Sequence, residues 1–224
     1  MPRTGPGSAR IAGKKPAKDK FTRREWKLIA THRTPLEVQR LVESIPYNRE
    51  LSGQTCLSFR GVVRLNRAHC LEGALVAATI LEQHGYPPLL VSIESQDKLD
   101  HVLYLFKEGS RYGSVARSRD VALHGRKAVY RTVRELVMSY FDPYVDLTGR
   151  ITGYAVASLY EMGGYDWRFS VRNVGAVERL LQEIPHHQIQ SSDRRYLTLH
   201  RRFLEYHRDH PGKSADYFPR DNWL

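Results

Sequence analysis

Apolar positions run almost without interruption between residues 70 and 84. Leu71, Ala74, Leu75, Val76, Ala77, Ala78, Ile80 and Leu81 fall on nearly every side of a 3.6-residue helix. A helix that is apolar nearly all round is a central, buried one, and the small Ala74, Ala77 and Ala78 let a sheet approach it closely. Gly85 suits the left-handed position just past its end. After Tyr86-Pro87-Pro88, the branched run 89–93 predicts a buried strand and residues 101–106 predict a second. In that second strand His101, Leu103 and Leu105 share one face, while Val102, Tyr104 and Phe106 share the other. Residues 107–111, with Gly109 inside, predict a hairpin turn, and residues 112–115 return.

Weaker signals flank this segment. Residues 21–31 suit a short helix. Thr34-Pro35-Leu36-Glu37 opens a clearer one, with Thr34 as cap, Pro35 in the first turn and Glu37 completing a capping box. Residues 51–66 look irregular, with a short extended piece at 59–65. Thr132 and Glu135 cap a helix over 132–141, and residues 149–160 suit a further strand. Two more helices are expected near 174–183 and 191–209, ahead of an irregular aromatic tail. No internal repeat is present. The pattern predicts an α+β fold in which the central helix packs on an antiparallel sheet flanked by further helices. The expected division is a disordered tail over 1–21, a core domain over 22–165 and a helical C-terminal extension packed on it over 166–224.

Charge changes this picture little. The chain has 224 residues and a formal net charge of +11, which invites a nucleic-acid partner. Nine of the basic residues precede residue 28, against Asp19 and Glu25, so +7 sits in the leader and +4 is left for the rest. Such a tail can hold RNA, DNA or another anionic polymer weakly and without sequence preference. A solvated leader accounts for the same composition. No apolar run approaches the roughly 18 residues of a membrane helix. The basic N-terminus lacks the apolar stretch of a secretory signal. Two cysteines make no disulfide framework, so a cytoplasmic protein with reduced thiols is expected.

The chemistry centres on Cys70, in the first turn of the predicted central helix. Unpaired N–H groups and partial positive charge at a helix start stabilise a thiolate, and Arg67 and His69 add positive potential. The backbone N–H of Cys70 suits an oxyanion hole. His101 opens the second strand, where a general base can meet a thiol at the helix start. If its face packs on the central helix, His101 lies at the edge of that contact. Cys56, fourteen residues earlier, reads as a core residue, with a regulatory disulfide to Cys70 as the alternative. Gln54 is a possible oxyanion donor with no spacing argument behind it. His200, His207 and His210 fall on one side of the last predicted helix, where a solvated face accounts for them. No phosphate-binding loop, dinucleotide fingerprint, zinc-protease motif or known nucleic-acid motif is present.

The run from Cys70-Leu-Glu-Gly-Ala-Leu through Gly85-Tyr-Pro87, followed by Asp100-His101 and an apolar strand with a Gly-containing hairpin, resembles transglutaminase-like proteins of papain-like fold. The resemblance covers residues 51–120, about a third of the chain. It implies a cysteine nucleophile on the helix, a histidine on the strand and a third residue, usually Asp, on the strand after the hairpin. That third position aligns near 116–118, where no carboxylate stands. Asp120 is the nearest acid, and Ser118 or Ser114 offers a hydroxyl instead. The expected function is cysteine-dependent hydrolysis or acyl transfer at an amide or peptide bond, through Cys70 and His101 with Asp120 or Ser118 orienting the imidazole. No cofactor or metal is implied. One rival is a catalytically silent binding module of the same fold, and another is a basic nucleic-acid-associated protein.

Overall fold

The structure, a computed structural model, describes residues 14–213 and 223–224. Most of the expected 1–21 tail therefore lies outside the described residues. Within it, residues 18–20 form a 3-10 turn. Phe21 is buried edge-on against Phe59 and Phe169 and tilted against Trp26.

Helices α1 (Arg23–Thr31) and α2 (Pro35–Ser44) each begin with a full capping box, Thr22 with Glu25 and Thr34 with Glu37. Helix α3 (Phe59–Leu65) replaces the extended piece expected there. Ser58 Oγ accepts from the Gly61 N–H, Phe59 and Val62 turn inward one helical step apart, and Asn66 ends the helix in the left-handed region. The Ser58 cap and the left-handed Asn66 set this short apolar run as a helix rather than an extended piece. Helix α4 (Cys70–Gln83) is buried from Leu71 to Glu82, and Gly85 follows it at φ +91°.

Strands β1 (Leu89–Ser95), β2 (His101–Glu108) and β3 (Arg111–Val115) form the predicted meander. Strand β4 (Arg126–Tyr130) was not anticipated. Helices α5 (Val133–Met138) and α6 (Phe141–Tyr144) divide the single helix expected over 132–141. Strand β5 (Ile151–Ser158), helix α7 (Gly175–Glu183), the two-residue β6 (His187–Gln188) and helix α8 (Asp193–Asp209) complete the described elements. The sheet is antiparallel in the order β4-β3-β2-β1-β5-β6. Trp223 bridges back to Arg126 at the β4 border, and the Leu224 N–H donates to the Gly125 carbonyl.

Two cores lie on opposite faces of the sheet. On one, Leu90, Val102, Tyr104 and Phe106 meet Ala74, Ala77 and Ala78 of α4, together with Trp167, Val174 and Val177. On the other, Val91, Ile93, Leu103 and Leu105 meet Leu136, Val137, Tyr140 and Phe141. The face of β2 that packs on α4 is thus the Val102 face, not the His101 face. After residue 165, Trp167, Val174, Val177 and Leu181 lie in the α4 core and β6 extends the sheet. Among the described residues no helix is long and apolar enough to cross a membrane.

Candidate active site

The site is built at the N-terminus of α4. His69 is the N-cap residue and Cys70 the first helical one. Three positions after the cap, Glu72 turns back and accepts the His69 backbone N–H at 2.9 Å. Glu72 is fully buried, a costly place for a carboxylate unless its oxygens are bonded. They are: Thr55 Oγ1 donates at 2.7 Å, the Leu57 N–H at 2.9 Å and Asn48 Nδ2 at 3.0 Å. His69 Nε2 lies 3.4 Å from the same carboxylate and 3.0 Å from the Thr55 carbonyl. A carbonyl only accepts, so Nε2 carries the hydrogen and Nδ1 is left for the neighbouring sulfur.

His101 reaches the site from the opposite side. Its ring is 4% exposed and stacks edge-on against Tyr140, with centroids 6.0 Å apart. Nε2 meets the Leu123 carbonyl at 3.1 Å, which again assigns the hydrogen to Nε2 and leaves Nδ1 as the basic nitrogen. As the first residue of β2, His101 approaches the thiol from the strand end, although the rest of its face turns away from α4.

Cys70 therefore has two imidazole partners. Burial alone raises its pKa, but hydrogen bonding to and positive charge on His101 and His69 bring it down to about 5. His69 moves the opposite way. Burial disfavours its charged form, and Cys70, Glu72 and the Thr55 carbonyl outweigh that to raise it to about 9. Between those values the thiolate–imidazolium pair is the resting state. Cys56 contrasts with this: burial pushes its thiol up to about 12, and both cysteines are free.

Neither expected orienting residue reaches His101. Asp120 Oδ1 accepts from the Ala122 N–H at 3.0 Å, and Ser118 Oγ accepts from the Asp120 N–H at 3.1 Å. The reason is local: Asp120 caps the 3-10 turn Val121–Leu123, and it is the last carbonyl of that turn that takes His101. Ser114 is occupied by the Tyr140 hydroxyl at 2.7 Å and the Arg126 N–H at 3.1 Å. Arg126, 2% exposed, donates to the carbonyls on either side of Leu123, to Ala122 at 2.8 Å and to His124 at 2.6 Å. Its guanidinium lies over the Tyr140 ring at 4.1 Å. Arg126 thus holds the turn that holds His101.

A cleft of about 450 Å³ opens over Cys70, and Gln54, Thr55, His69, His101, Ser118 and Asp120 contribute to its walls. The first-turn N–H of Cys70 has no intrahelical acceptor, and Gln54 brings a carboxamide to the same space. His200 and His210 instead stack on Tyr196 and Tyr206, and His207 lies tilted against Phe203, each partner four residues earlier along α8. No group of His, Cys, Asp and Glu that could hold a metal ion occurs among the described residues. His69, Glu72, the Leu123 carbonyl and Arg126 are the parts that sequence reasoning missed or undervalued. The first two had a signal, since an acid three residues after a residue that opens an apolar run is the capping-box spacing. No family model matches the chain and no curated protein matches it.

Proposed function

We propose that this protein is a cysteine-dependent hydrolase or acyltransferase acting on an amide or peptide bond, built on a transglutaminase-like variant of the papain-like fold. The observation that carries this reading is the Cys70 thiol, at a helix N-terminus, shared by two imidazoles that are each anchored through Nε2. The order of parts supports it too: a Cys-bearing buried helix packed on an antiparallel sheet, then the His-bearing second strand.

In this mechanism the Cys70 thiolate adds to the amide carbonyl carbon. The oxygen takes the negative charge, facing the Cys70 N–H and the Gln54 carboxamide. The C–N bond then breaks, and the leaving amine takes a proton from the imidazolium beside the sulfur. The resulting thioester is attacked by water or by a second amine, which gives up its proton to a neutral imidazole Nδ1, and the thiolate leaves. The Leu123 carbonyl takes the place of the usual carboxylate behind His101. It fixes the tautomer and the ring, while the negative charge resides on Glu72 behind His69.

The test is the pH dependence of Cys70 alkylation by iodoacetamide in a Cys56→Ser background. The expected rate rises with a midpoint near pH 5, and His69→Ala and His101→Ala each move that midpoint upward. A single rise at the free-thiol value of about 8.5, indifferent to both substitutions, overturns the reading and leaves a binding scaffold.

A further inference from the structure

The charge of the cleft is opposite to that of the chain. Its rim carries the carboxylates of Glu50, Asp97, Asp100, Asp120, Asp146 and Glu178, against the cations Lys98 and Arg119. Elsewhere several acids are paired with arginines: Glu25 with Arg60, Glu82 with Arg168, Asp142 with Arg195 and Asp193 with Arg150. On the rim Glu50 accepts the Thr55 N–H at 2.6 Å, and its one ion-pair contact among the described residues is with His69, at 3.9 Å. Asp97, Asp100, Asp120, Asp146 and Glu178 form no ion pair with a described lysine or arginine. In a chain of net charge +11, leaving this many carboxylates uncompensated around one cleft concentrates negative potential there.

A second observation concerns the floor. Ser92 is 3% exposed and lines the cleft, yet its hydroxyl makes no hydrogen bond to any described residue. The hydroxyl is open to the cleft, where a bound polar atom can pair with it. Glu50 and Lys98 of the rim are also two of the three described non-glycine residues held at positive φ, 55° and 63°.

We infer that the substrate presents a cation in this cleft, an alkylammonium or guanidinium beside the reacting amide, with a polar atom of the substrate on the Ser92 hydroxyl. The inference rests on the catalytic reading above and adds the chemical class of the substrate to it. A cationic neighbour gains from the rim, while an acidic one meets like charge.

The test uses two thiol reagents of equal reactive group and opposite charge, the trimethylammonium-ethyl and sulfonatoethyl methanethiosulfonates, on the full chain carrying Cys56→Ser. Their rate ratio at Cys70 is divided by the same ratio for 2-mercaptoethanol. The expected normalised ratio favours the cation by about tenfold at low ionic strength and shrinks as salt is added. Glu178→Gln, at an exposed position on α7, lowers the ratio without disturbing the fold. N-acetyl-arginine amide protects Cys70 and N-acetyl-glutamate amide does not. A normalised ratio at or below one, or equal protection by the two amides, overturns the inference while the rapid reaction of Cys70 leaves the catalytic reading standing. A Cys70 that reacts with neither reagent below the free-thiol pKa overturns both.

Discussion

In the proposed mechanism, His69 and Glu72 divide between them what the resemblance assigns to a single acidic third residue. Glu72 holds a buried negative charge on three donors and the His69 backbone, and His69 lies between that charge and the sulfur. The pH consequence follows from the direction of each shift. Cys70 is lowered from 9.0 to about 5, so its contribution to stability is complete above its ordinary value and is lost as pH falls through about 5. His69 is raised from 6.5 to about 9, so its contribution is complete below its ordinary value and is lost as pH rises through about 9. The two describe one ion pair, present between about pH 5 and about pH 9. Replacing Glu72 by Gln keeps the shape and removes the charge. The expected result is a His69 pKa that falls and a Cys70 pKa that rises, read from the ultraviolet absorbance of the thiolate. An unchanged thiolate titration in Glu72→Gln would show that the carboxylate only supports the backbone.

At the scale of the element, the segment between β3 and β4 decides how His101 is held. Asp120 caps the turn, Arg126 fixes the carbonyls on both sides of Leu123, and the Tyr140 hydroxyl donates to the His124 carbonyl at 3.0 Å. Arg126→Met removes the donors and leaves the chain's apolar bulk. Each buried carbonyl left without a donor costs about 1–3 kcal/mol, so urea denaturation should show a loss of that order. The low-pH reactivity of Cys70 should retain its dependence on His69 and lose its dependence on His101. The parts of this site differed in how far sequence could expose them. Cys70 at a helix start and His101 at a strand start are readable because hydrophobic periodicity places both ends. The Leu123 carbonyl is a backbone atom, and no residue type marks it. Arg126 carries no local mark either, since nothing in the neighbouring sequence says that its strand borders a buried turn. Helix α3 was misread for a related reason: seven residues give too little periodicity, and only the Ser58 and Asn66 caps identify it.

For the whole molecule, the region after residue 165 is part of the scaffold that supports α4. Arg168 donates to Glu82 through Nε at 2.6 Å and through Nη2 at 2.7 Å, tying that region to the C-terminal end of α4. Glu82 is 1% exposed, and its burial raises its pKa despite Arg168. Breaking such a pair from one side costs about 3–5 kcal/mol. Arg168→Ala should lower the melting temperature at neutral pH, and the loss should shrink toward acid pH as Glu82 takes up a proton. An equal loss at both ends of the pH range would mean that packing of the Arg168 stem, not its charge, is what matters. The six-stranded order was only partly legible, because β4 and β6 are short and are recognised by the strands they pair with, not by their own residues.

The two borders of the sheet have a consequence for crowding. A sheet grows by accepting a strand along a straight row of free backbone groups. Here one border is two residues long. The other is kinked where its register to β3 shifts, and it is crossed at Arg126 by Trp223. A second copy arriving edge-on meets a short row of backbone groups at β6 and an interrupted one at β4, which disfavours growth of the sheet from those two strands.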